Sequence, residues 1–152
     1  QSGKQVFSET HVLLKDREKL ILSERKYNNK EEVYTIESIT SKVNIPLNIS
    51  FCNVSYHSES DSNCIFVNED ALKFPLTIRK WQEGDWFYPL GMNGKKKLSK
   101  LFKDEKLSLL DKSNIWLLCS ENQIVWVIGK RQDERFKVTE QTTKILKINY
   151  TT

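Results

Sequence analysis

The residues that could do chemistry in this chain are few, and most are wrongly spaced for it. Serine-based acyl transfer needs a histidine within reach of the nucleophile. The two histidines, His11 and His57, stand in no G-x-S-x-G context and read as surface residues. Cys52, His57 and Cys64 carry metal-ligating atoms, but C-x4-H-x6-C matches no common zinc spacing and a fourth ligand is missing. Glu83 and Asp85 flank Gly84, where carboxylates ordinarily cap the N–H groups of a turn. The five glycines form no G-x-x-x-x-G-K-[ST] phosphate loop. The sequence therefore offers no catalytic residue and no metal site.

Cations are the chemistry that remains. Arg79, Lys80, Lys95, Lys96, Lys97, Lys100, Lys103, Lys130, Arg131 and Arg135 all lie in the second half. Residues 1–78 hold 9 Lys/Arg against 11 Asp/Glu, residues 79–112 hold 9 against 5, and residues 113–152 hold 6 against 4. The whole positive excess thus falls after residue 78. Lysine and arginine bind phosphates through charge-assisted, salt-sensitive bonds, so the asymmetry points to an anionic partner, nucleic acid first. The competing reading is a solvated helix face with charged turns. Trp81, Trp86, Trp116 and Trp126 have faces that could stack on bases, but tryptophan in alternating strands is expected in the core.

Strands must position these groups. Val12–Leu14 and Leu20–Leu22 flank a charged Lys15–Lys19 turn, as in a hairpin, and Tyr27–Lys30 is a polar break. Glu32–Ile39 reads as extended. Ile45, Leu47, Ile49 and Phe51 alternate with Pro46, Asn48, Ser50 and Cys52, the period of a half-buried strand. Ser55–Asn63 is a polar loop, and Cys64–Val67 is a short buried strand. Leu76–Trp81 alternates again, and Trp86–Tyr88 resumes extended structure until Pro89, Gly91 and Asn93-Gly94 break it. Ile115–Cys119 and Ile124–Ile128 form a hairpin across Ser120–Gln123, and Phe136–Thr139 and Ile145–Tyr150 close the chain as strands. Only Lys95–Lys106 is helical by pattern. It sets Leu98, Leu101 and Phe102 on one face, Lys96, Lys100 and Lys103 opposite, and Asn93-Gly94 at the N-cap. Gly84, Gly91 and Gly94 belong to turns, and Trp86, Phe87 and Phe136 to the core.

With 152 residues, 38% hydrophobic and 29% charged, the chain suits one soluble domain of strand-rich α+β class. No apolar run approaches the roughly 18 residues of a membrane helix, so no membrane partner is expected. Three cysteines at wide spacing argue against a disulfide framework and for a reducing compartment, the cytoplasm. The start at Gln1, with Met92 the only methionine, reads as a piece excised from something larger.

The second half carries a resemblance. Ile78-Arg79-Lys80-Trp81, then Gly84-Asp85-Trp86-Phe87-Tyr88-Pro89-Leu90-Gly91-Met92, then Gly94-Lys95-Lys96-Lys97-Leu98-Ser99-Lys100 occur in order. Phe102, Asp104 and Lys106 follow, then Ile124–Arg131, Arg135–Thr139 and Thr142. These blocks, spanning residues 76–148, resemble the C-terminal domain of bacterial tRNA(Ile)-lysidine synthetases, including its G-D-x-F-x-P-x-G and G-x-K-K-L patterns. Residues 1–75 share less, mainly Ser2-Gly3-Lys4 and the Leu13–Leu22 hairpin.

The resemblance implies layered sheets with a short basic amphipathic helix, similar to a domain of the phenylalanyl-tRNA synthetase β subunit. It divides the chain into residues 1–24, a hairpin left from a preceding domain, and 25–152, a C-terminal tRNA-binding domain. It implies an enzyme that uses ATP and Mg2+ to activate the wobble cytidine of tRNA-Ile(CAU), after which lysine displaces AMP. That catalysis belongs to an N-terminal ATP-pyrophosphatase domain with an S-G-G-x-D-S loop, absent here, so this fragment is expected to bind no cofactor. Its partners are tRNA-Ile(CAU), gripped at the acceptor stem, and that catalytic domain. Charge and location nominate Lys96, Lys97, Lys100 and Lys103 on the helix, with Arg79, Lys130, Arg131 and Arg135 on adjoining turns, for RNA contact. The alternative is a domain whose basic surface packs on the catalytic domain or supports a homodimer, without RNA contact.

Overall fold

A computed structural model describes residues 5–7, 11–16, 19–24, 32–40, 43–44 and 46–151, with side chains from residue 32 onward. The first three strands, β1 (Gln5–Phe7), β2 (His11–Asp16) and β3 (Lys19–Glu24), form an antiparallel sheet in that order. The expected hairpin is therefore present as the β2–β3 pair, with Leu13 opposite Leu22. Its Arg17-Glu18 turn, the Tyr27–Lys30 break and Ile45 lie outside the described residues.

Two further sheets build the body. β4 (Val33–Ile36), β7 (Leu76–Lys80), β10 (Trp116–Ser120), β11 (Gln123–Val127) and β12 (Arg131–Gln132) form a five-stranded sheet in the order β12-β11-β10-β7-β4. β5 (Asn48–Val54), β6 (Cys64–Asn68) and β13 (Ile145–Thr151) form a three-stranded sheet with β13 central. Period-two alternation gives each strand one apolar face. Leu76 and Ile78 of β7, Leu146 and Ile148 of β13 and Ile65 of β6 meet in one core between the sheets.

The five-stranded sheet is apolar on its other face as well, which is why β10 and β11 read as near-continuous hydrophobic runs. Leu118 points into the first core, while Leu117 and Cys119 point into a second with Phe87, Leu98, Leu101 and Phe102. Between Leu118 and Cys119 the β10–β11 register slips by one residue, leaving Val125 as a bulge. The layers expected for an α+β, strand-rich fold are thus three: the small sheet, the five-stranded sheet, and a cover of helix and ribbon.

That cover differs from the sequence reading in several places. Lys96–Lys97 forms β9, paired with β8 (Trp86–Phe87), and α1 runs only over Leu98–Asp104. Lys97, in extended conformation, is the N-cap, so Asn93-Gly94 is not. Pairing with a distant strand has overridden the helical period at Lys95–Lys97. The helix stops where Lys106 turns left-handed (φ 57°). There the Leu107 N–H bonds Phe102 O at 3.0 Å and the Lys106 N–H bonds Lys103 O at 3.0 Å, a Schellman stop. A second helix that the periodicity missed, α2 (Leu109–Ser113), starts from a Ser108–Asp111 capping box. Phe136–Thr139 is not a strand either. Glu134–Phe136 is a 3-10 turn capped by Asp133, and Lys137 makes only an isolated bridge to Val67.

Candidate nucleic-acid interface

Directly opposed residues of a strand pair share a face, and this decides where the lysines of β9 go. Phe87 opposes Lys96 on the inner face, where Phe87 is fully buried. Trp86 opposes Lys97 on the outer face, and both are exposed. Trp86 was expected in the core. At 39% exposure it is instead the projecting aromatic of the ribbon, while Trp126 is fully buried and Trp81 and Trp116 are half-buried.

Lys96, assigned by the sequence to an exposed helix face, lies against the core, and its ammonium pairs with Asp104 at 2.7 Å. That hydrogen bond, reinforced by the charges of Lys100 and Lys103, holds the Asp104 carboxyl below its ordinary range against some desolvation. Leu98, Leu101 and Phe102 bury the other side of α1, so Lys100 and Lys103 project outward. From Lys95 to Asp104 there are five lysines and one carboxylate. Lys97, Lys100 and Lys103 have no ion pair among the described residues.

The remaining nominated cations converge on the same region, each tied down by a neighbour. Arg79 on β7 makes a two-pronged pair with Asp85, both contacts at 2.9 Å. Asp85 also accepts from the Gln82 N–H at 2.6 Å, and its carbonyl accepts the Leu98 N–H at 3.0 Å. The turn carboxylate thus caps backbone as expected, and anchors Arg79 as well. Arg135 is fixed by Asp133, which is fully buried and accepts from its Nε and Nη2, both at 3.0 Å. Lys130 reaches Glu105 at 3.5 Å, just past the end of α1. Arg131 points Nη1 at the Met92 sulfur, 3.5 Å away.

Trp86 is the hub. The Lys95 ammonium lies 4.9 Å from its ring centre and the Arg135 guanidinium 5.3 Å. Arg135 is also 4.9 Å from the Tyr88 ring, which meets Trp86 edge-on at 5.4 Å. Two grooves share the indole as a wall. One, of about 220 Å³, includes Arg79, Asp85 and Arg135. The other, of about 640 Å³, includes Met92, Lys95, Lys96, Lys97 and Lys100. Nearby, Glu134 is held below the ordinary carboxylate range, first by the Lys137 ammonium and then by the Gly91 N–H at 3.0 Å.

Sequence reasoning passed over Trp86, Tyr88 and Lys95 as partners. The signal was the alternation itself, since a buried Phe87 forces both aromatic neighbours outward. Cys52 is exposed, Cys64 half-buried and Cys119 buried, all free, and burial pushes the Cys119 thiol up to about 11. No group of three or more His, Cys, Asp or Glu suited to a metal occurs among the described residues. No helix among them is long and apolar enough to cross a membrane.

Fold and surface define a three-layered α+β domain that displays cations around an exposed indole. Residues 76–150 match the family described as TilS substrate C-terminal domain, and residues 1–25 match the TilS substrate binding domain. The chain belongs to the family of tRNA(Ile)-lysidine synthase C-terminal domains. It is 39% identical to a tRNA(Ile)-lysidine synthase of Parabacteroides distasonis, over 99% of this chain and 35% of that protein. With the tRNA(Ile)-lysidine synthase of Bacteroides thetaiotaomicron it shares 33% identity, over 96% of this chain and 32% of that protein. The chain spans about a third of the length of these curated relatives. A crystal structure of a TilS C-terminal domain overlays 79% of this chain and 97% of its own length, with a TM-score of 0.65 at 17% identity, and so shares the fold.

Proposed function

We propose that these residues are the RNA-gripping C-terminal part of a tRNA(Ile)-lysidine synthase. The partner is tRNA-Ile(CAU), held near its acceptor stem while ATP-dependent lysidine formation proceeds at the wobble cytidine, in a domain outside these residues. The observation that carries the proposal is the triad Lys97, Lys100 and Lys103, exposed and without ion pairs among the described residues, next to Trp86. The relatives' name supports the substrate. An A-form RNA helix offers phosphates and 2′-hydroxyls, which a rigid basic surface recognises by shape and charge. Contacts of this kind position the RNA without reading sequence.

The eight nominated cations divide by role. Lys97, Lys100, Lys103 and Arg131 are the exposed phosphate contacts. Arg79, Lys96 and Lys130, each held by a carboxylate, shape the surface and add to its field, and Arg135 does the same while Asp133 takes only its Nε and Nη2. Residues 1–24 are the end of a preceding domain, a reading supported by the separate family description matched at 1–25. On this reading ATP and Mg2+ belong to the catalytic domain, outside these residues. Gly84 and Gly129 sit in separate turns, Gly91 and Gly94 share the loop between β8 and β9, and none of them belongs to a G-x-x-x-x-G-K-[ST] phosphate loop.

The test is Lys100→Glu with Lys103→Glu in the full-length polypeptide, measured by tRNA binding. Both side chains are exposed, so stability should change by no more than about 0.5 kcal/mol each. The expected result is tRNA affinity weakened by about tenfold or more. A folded double variant that binds tRNA as tightly as wild type overturns the proposal and favours a surface for protein contacts.

A further inference from the structure

We infer that Trp86 is a stacking platform for an unpaired base of the bound RNA, with the phosphates on either side of that base received in the two basic grooves. The inference rests on the RNA-binding reading above and assigns a ligand class to a residue outside the lysine triad. Three observations carry it.

The indole is exposed by construction. The β8–β9 ribbon turns Phe87 into the core and leaves its neighbour facing solvent, and Trp86 is 39% exposed there. A two-residue strand backed by the five-stranded sheet holds the ring on a rigid mount. Rigid, exposed aromatic rings are what single-stranded nucleic-acid sites use, because every base has a π-face.

The surroundings are cationic on both sides. Arg79 and Arg135 against Asp85 line one groove, and Lys95, Lys96, Lys97 and Lys100 against Asp104 line the other, so cations outnumber carboxylates in both. A nucleotide strand crossing the ring sets a base on the indole and one phosphate in each groove. Arg135 is prepared for this. Asp133 occupies its Nε and Nη2, which leaves Nη1 without a partner among the described residues and aims the guanidinium beside Trp86. Lys95 covers the ring with an exposed ammonium on a four-carbon stem, so a base can replace it there while the ammonium moves to a phosphate.

The patch is too polar for the centre of a protein interface. Among the described residues the exposed large hydrophobics are Val33, Tyr56, Trp86 and Met92, and only Met92 shares a groove with Trp86. Interface cores are depleted in charge, whereas lysine and arginine ring this indole.

The experiment uses the full-length polypeptide and two RNA duplexes of one sequence, one blunt and one with a short unpaired 3′ extension carrying 2-aminopurine. Wild type is expected to bind the extended duplex about tenfold tighter than the blunt one and to quench the 2-aminopurine on binding. Trp86→Ala should abolish the quenching and bring extended-duplex affinity down to that of the blunt duplex, while Trp86→Phe keeps most of each effect. The inference is overturned if the extension adds nothing in wild type, if quenching survives Trp86→Ala, or if Trp86→Ala weakens both duplexes equally. Salt-sensitive binding of the blunt duplex, with no gain from the extension, removes the stacking role and leaves the RNA-binding reading standing. Failure of wild type to bind either duplex removes both.

Discussion

Replacing Asp133 with alanine should destabilise the domain by about 3 kcal/mol, and the figure follows from its four contacts. The fully buried carboxylate accepts the Tyr88 N–H at 2.9 Å and the Arg135 N–H at 2.7 Å. It also takes the Arg135 Nε and Nη2, both at 3.0 Å. Losing it strands two backbone donors, at about 1 kcal/mol each. It also takes the counter-charge from a guanidinium whose side chain is 26% exposed. That partial exposure reduces the cost of breaking a buried pair to about 1 kcal/mol. Near 152 residues, each kcal/mol moves the melting temperature by about 3 °C, so the variant should melt about 10 °C lower. Thermal and urea unfolding followed by circular dichroism measure this, and Asp133→Asn, which keeps one acceptor, should lose about half as much. A loss under about 1 kcal/mol for Asp133→Ala would refute the reasoning, because Asp133 would then not be what ties β8 and Arg135 to the β12 end of the sheet.

Two further outcomes are expected. Phe102, fully buried and 4.9 Å edge-on from Trp81, should cost about 3–5 kcal/mol as Phe102→Ala; an unchanged melting curve would mean that α1 does not dock through this face. Asp104 has its folded pKa below the ordinary 3.8, so its pairing with Lys96 stabilises above that value and is lost as pH falls through the folded pKa. Asp104→Asn should therefore flatten the acid limb of a stability–pH profile below about pH 4 and leave the profile's shape at neutral pH unaltered. Identical acid limbs in the two proteins would contradict that pairing.

Local pattern was enough where it agreed with burial. Leu76–Trp81 and Ile145–Tyr150 were legible as strands with one face on the first core. The Ile115–Ile128 hairpin was legible as two apolar runs around a polar turn, because both its faces are buried. Pattern misled where distant pairing chose between local options. Lys95–Lys97 has helical periodicity, yet pairing with Trp86–Phe87 draws Lys96–Lys97 into a strand and moves Lys96 from the outer surface to the core side. Trp86-Phe87-Tyr88 is aromatic on both faces, so alternation by itself cannot say which face is buried. Only the packing of Phe87 against Leu98, Leu101 and Phe102 decides it. The short α2 lacks enough turns to show a period, although its Ser108-x-x-Asp111 box was visible in the sequence. In the candidate interface, Lys97, Lys100 and Lys103 were readable from charge. The carboxylates that occupy Arg79, Lys96, Lys130 and Arg135 come from turns and helix ends whose placement depends on the tertiary fold.

The most direct measurement of the central claim is tRNA affinity across a salt series, for wild type and for Lys97→Gln with Lys100→Gln and Lys103→Gln. Each phosphate contact contributes about 0.7–0.9 to the slope of log affinity against log salt. If the three lysines contact phosphates, the triple-variant slope is shallower by about 2, with the two lines converging as salt rises. Parallel lines, or affinity indifferent to salt, would contradict it.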